Sequence, residues 1–199
     1  MRTPAIAGFF LLFACANSIG AAEYDEVKKA SPLQQFAMEP FKESQGHIPV
    51  FFNTITGILD RFGEPITKGQ SKFPDRTSDA VMTSYMLQYD GLVFGVIESE
   101  DKKHSWLETI IISGNAYDLK YGLAIGSTYS ETVSLFQLPP PDYRAKGSPM
   151  HLYAEVIGYW ANYKDESGQP KWVVADISVD IHFNAADRVE KIVLGSYED

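Results

Sequence analysis

Apolar residues fall into three kinds of run along this chain, and each kind predicts a different element. The first is continuous: Ala5 to Ala16 holds only small or apolar residues, too few for a membrane-spanning helix, which needs about 20. The second recurs at helical spacing. Leu33, Phe36, Ala37 and Phe41 form a short stripe, interrupted by Pro32 and Pro40. Phe51, Phe52, Ile55, Ile58, Leu59 and Phe62 form a longer one, predicting a helix over 48–62 with Pro49 in its first turn and Gly63 ending it. The third kind is dense in β-formers and predicts strands over 81–89, 92–98, 106–113, 151–163, 171–183 and 188–195. Asp90-Gly91 reads as a tight hairpin turn, 98–103 and 164–169 as solvated loops, and Asn184 to Asp187 as a turn. Residues 66–78 are polar and read as turn-rich. Between the two groups of strands, Gly126-Ser127-Thr128 prepares a short helix over about 129–136, which Leu138 and the prolines 139–141 stop.

The two groups of strands run in parallel along the sequence. Ile58 to Pro65 aligns with Val133 to Pro139, and Leu107 to Gly114 aligns with Val189 to Gly195, so duplication of one helix-plus-meander unit is the economical explanation. The predicted fold class is α+β: two tandem units of short helices packed on antiparallel β-meander sheets. Residues 1–22 are a leader, 23–47 a polar, partly helical extension, 48–114 the first unit and 115–199 the second.

Three stretches carry a resemblance. Phe62-Gly63-Glu64-Pro65, then Tyr89 to Phe94, then Gly122 to Gly126 ahead of Ser130 to Phe136 resemble the repeats of the beta-lactamase-inhibitor-protein-like group. That group also includes the accessory lipoprotein of outer-membrane barrel assembly. The resemblance covers about residues 48–196 and rests on caps, turns and strand apolars. It implies tandem units that bind other proteins through a sheet face or edge loops, without enzymatic activity. The tandem inhibitors carry disulfides, which this chain cannot form, and the accessory lipoprotein has a clear lipobox.

Charge and cysteine content narrow the picture further. Arg2 is the only charge before Glu23, and Gly20-Ala21-Ala22 supplies a small-residue exit, so 1–22 reads as an export signal cleaved near Ala22. The expected location is periplasmic or secreted. Cys15 is the single cysteine; cleavage after Ala22 removes it, whereas lipidation of Cys15 would anchor the protein to a membrane. Loss of Arg2 leaves 16 basic against 26 acidic residues, a net charge of −10, which opposes nucleic-acid binding and suits a partner with a basic patch. No transmembrane segment is expected after the signal.

Candidate chemistry is sparse. Alternation along 174–184 places Ile177, Val179, Ile181 and Phe183 on one face and Asp176, Ser178, Asp180 and His182 on the other. Asp180 and His182, about 7 Å apart along the strand, could share a divalent ion with help from Asp176 or another strand, although a wet sheet face looks the same. His47, His104 and His151 show no ligand spacing and read as surface or edge residues. Nucleophile-elbow and phosphate-loop patterns are missing. The aromatics are the remaining handle, with 11 Tyr, 12 Phe and 3 Trp. On the strand 151–163, Tyr153, Tyr159 and Tyr163 share a parity, with Trp160 on the other side and Trp172 on the next strand. The sequence therefore reads as a non-enzymatic envelope protein that needs no cofactor and binds another envelope or secreted protein through Tyr153, Tyr159, Trp160, Tyr163 and Trp172. A metal-dependent hydrolase centred on Asp180 and His182 is the alternative, and a carrier of a small apolar ligand a further one.

Overall fold

A computed structural model describes residues 31–42, 55–75, 80–101, 105–138, 150–164 and 170–197, with the side chains of Met38, Met150 and residues 154–164, 170–176 and 196–197 outside the description. The leader with Cys15, and His47 and His104, lie outside it too. The first element, α1 (Pro32–Met38), starts with a reciprocal cap. The Gln34 backbone N–H donates to Ser31 Oγ at 3.2 Å and the Ser31 N–H donates to Gln34 Oε1 at 2.8 Å. Pro32 occupies the first turn, where its missing N–H costs nothing. All four residues of the predicted stripe, Leu33, Phe36, Ala37 and Phe41, are buried. The next helix, α2 (Ile55–Phe62), is the described part of the predicted longer one. Gly63 ends it at φ 78°, its N–H donating to the Leu59 carbonyl at 2.7 Å.

Seven strands follow: β1 (Thr67–Pro74), β2 (Val81–Tyr89), β3 (Leu92–Ser99), β4 (Ser105–Ile112), β5 (Met150–Lys164), β6 (Pro170–Phe183) and β7 (Val189–Tyr197). They form one antiparallel sheet in the order β1-β2-β3-β4-β7-β6-β5. Between β4 and β5 lies α3 (Tyr129–Phe136), capped by Thr128 and Glu131 and closed by Gln137 in the left-handed conformation. The strand that finishes each meander meets the other at the middle of the sheet, pairing Thr109–Ile112 with Gly195–Ile192. Thr109 Oγ1 adds a 3.0 Å bond to the Leu194 carbonyl across that seam.

β1 corrects the expectation of turn-rich structure at 66–78. Every residue of β1 is exposed, so it carries no apolar alternation, and pairing with β2 along its length is what makes it a strand. At the β2–β3 hairpin, Gly91 has φ 69°, and a Cβ there would fall 2.3 Å from the Gly114 Cα. Only glycine fits where the two turns touch.

Alternation then fixes the two faces. Leu87, Leu92, Phe94, Ile110, Ile112, Ile192, Leu194, Ile177, Val179, Ile181 and Phe183 join one core with Phe36, Ile58 and Phe136 of the helices. The helices thus cover one face. α1 packs against β5, β6 and α3, with the Phe36 and Phe136 rings 5.4 Å apart. Glu39, just past α1, meets Arg61 of α2 in a two-pronged pair at 3.3 Å, both side chains buried. The Arg61 guanidinium lies over the Phe41 and Phe62 rings.

Candidate metal centre

The opposite face of the sheet carries the chemistry. Ile181 and Phe183 point into the core, so the pleat turns Asp180 and His182 to the far side. On the edge strand β5, His151 lies directly opposite His182, and Tyr153 directly opposite Asp180. Such partners keep their Cβ atoms about 4.5–5.5 Å apart, which brings a residue 29 positions earlier in the chain into the site. His151 Nδ1 is 3.1 and 3.2 Å from the two Asp180 carboxylate oxygens. The other ring closes on the same carboxylate, with His182 Nε2 3.0 Å from Asp180 Oδ2. The imidazoles lie 4.1 Å apart, centroid to centroid. One donor atom from each of the three residues falls within 4.8 Å of the others.

Two imidazole nitrogens and one carboxylate oxygen suit a zinc-like divalent ion, and three protein ligands leave a position open for water. Tetrahedral bonds of 2.0–2.1 Å put donors about 3.4 Å apart, close to the nitrogen–oxygen separations observed. Solvent reaches the cluster from the His151 side: His151 is 47% exposed, Asp180 28% and His182 19%. Burial pushes the His182 proton affinity below the usual imidazole range, with Lys191 and His151 adding to that and Asp180 and Glu190 opposing it. A neutral ring is the form that ligates. Beside the site, β7 carries a bulge. His182 pairs with Lys191 while Phe183 pairs with Val189, leaving Glu190 as the extra residue, in a position where bulges re-aim side chains.

Several sequence expectations change here. Asp180 and His182 do meet, and His151 joins them; the backbone of Asp176 stands four residues along β6, about 13 Å away. The side chain of Asp176 lies outside the described residues. Reading His151 as a bystander failed because linear spacing carries no cross-strand register. The β5 register shifts between Val156 and Tyr159, with Tyr153 paired to Asp180, Tyr159 to Ala175 and Tyr163 to Lys171. Trp160 pairs with Val174 and Trp172 with Asn162. Tyr153 is 57% exposed, and the side chains of the other four lie outside the described residues. The expectation of a non-enzymatic binding protein is corrected by the His151/Asp180/His182 cluster, which can chelate a metal and so has catalytic potential. Among the described residues no helix is long and apolar enough to cross a membrane. Comparison with protein-family models, with curated proteins and with solved structures gives no match.

Proposed function

We propose that the protein is a metal-dependent hydrolase whose centre is a single divalent ion held by His151, Asp180 and His182. The observation that carries this reading is the convergence of two imidazoles on one carboxylate on the sheet face that the helices leave open. The three residues come from two neighbouring strands, β5 and β6, and the site is open to solvent on the His151 side. Such an ion would supply an activated water near neutral pH and polarise the bond under attack, while His151, Asp180 and His182 would hold it in place. Water activated there would attack the substrate, and the departing group would take up a proton from solvent, which reaches the site from the exposed His151 side. The apolar leader supports export, which would place this chemistry in the cell envelope.

The test begins with the purified protein stripped by chelator. Calorimetric titration with zinc should give one ion per chain, and His151→Ala or His182→Ala should weaken binding at least a hundredfold. Ester, amide and phosphoester panels should then show turnover that zinc restores and chelator abolishes. Failure to bind zinc overturns the centre; binding without turnover overturns the hydrolase.

Duplication is a second proposal, at the level of the fold. In its support, α2 leads into a meander ending at β4, α3 leads into one ending at β7, and those terminal strands pair. Superposing α2–β4 on α3–β7 tests it, and a failure of the helices to coincide when the strands do would count against common origin.

A further inference from the structure

Lys191 extends the row of the metal centre by one strand. His151 on β5, His182 on β6 and Lys191 on β7 are successive cross-strand partners, and Lys191 is partly buried. Four methylenes let its ammonium reach back along the sheet toward the ring beside it, while Asp180, in the next row, stands between Tyr153 and Val193. Among the described residues Lys191 makes no ion pair. For metal binding alone this placement is unfavourable, because an ammonium next to a divalent ion repels it. The cost is offset once an anion lies between them, one oxygen on the ion and another on the ammonium. A chain with net charge −9 repels anions at long range, so a local cation is what such a substrate would require. A phosphate ester, with several terminal oxygens and up to two negative charges, offers separate oxygens to both cations and more charge for them to neutralise.

We infer that Lys191 is the substrate-binding cation of the centre and that the substrate is a phosphate ester. This rests on the metal reading above, so the experiment separates the two. Inorganic phosphate is titrated into zinc-loaded wild-type protein, Lys191→Gln and Lys191→Arg, after zinc affinity has been measured for each. Phosphate should bind the wild type, bind Lys191→Gln at least tenfold more weakly and bind Lys191→Arg within threefold of wild type. Zinc affinity should stay equal or rise in Lys191→Gln as the repulsion is lifted. Equal phosphate binding by wild type and Lys191→Gln, or none by the zinc-loaded wild type, overturns the role of Lys191 and leaves the metal centre standing. Absence of zinc binding defeats both.

Discussion

At the scale of single residues, two charged groupings in this chain do opposite things. Glu39 and Arg61 are buried together; the carboxylate also accepts the Phe41 N–H at 3.1 Å. Removing one partner strands the other charge, so Glu39→Ala should cost about 3 to 5 kcal/mol in denaturant unfolding, whereas replacing both by Met should recover most of that loss. His182 belongs to the second grouping. Because burial depresses its proton affinity in the folded state, the neutral ring contributes stability above the unfolded-state value of about 6.5, and that contribution is lost as pH falls through the lower folded value. Unfolding measured from pH 8 down to pH 5 should show an acid limb that His182→Gln flattens. An unchanged limb would place the acid sensitivity elsewhere.

Elements differ in how plainly the sequence announces them. α1, α2 and α3 were legible because caps and stops bracket apolar stripes at helical spacing. The six apolar strands were legible for the same reason at period two. β1 was not, since Thr67 to Pro74 has no buried face and owes its conformation to backbone pairing with β2. The register shifts in β5 and at Glu190 were equally silent, since a bulge leaves no mark on apolar alternation. That is why two of the three site residues could be read, Asp180 and His182 sitting on one strand, while His151 required knowledge of the register. Capping, by contrast, can be tested residue by residue. Thr128 Oγ1 accepts the Glu131 N–H at 3.2 Å and Glu131 Oε2 accepts the Thr128 N–H at 2.7 Å. The backbone bond holds the Glu131 carboxyl below its ordinary range, so the cap supports the fold above that range and weakens as the carboxylate is protonated. Thr128→Ala should cost about 1 kcal/mol, read from thermal unfolding near neutral pH.

For the whole molecule, the seam between β4 and β7 and the seat of α1 tie early sequence to late sequence. α1, at residues 32–38, rests on β5, β6 and α3, and its Phe36 is fully buried there. The first meander, although continuous in sequence through β4, therefore lacks both its central neighbour and the surface that covers its own N-terminal helix. A chain ending at residue 138 should remain aggregation-prone in spite of holding β1 to β4, seen as dye-binding apolar surface and loss of monomer on gel filtration. A monomeric, cooperatively unfolding 1–138 fragment would contradict this.

The seat of α1 also sets a timetable. During synthesis the helix leaves the ribosome early, but the strands that receive it are made about a hundred residues later, which at typical elongation rates is a delay of roughly 5 to 20 seconds. Over that interval Leu33 and Phe36 of α1 lack the strands that seat their helix, and contacts so distant in sequence are slow to form. The chain therefore stays open until its last strand is in hand, a state suited to an unfolded export route and costly for a protein left to mature where it was made.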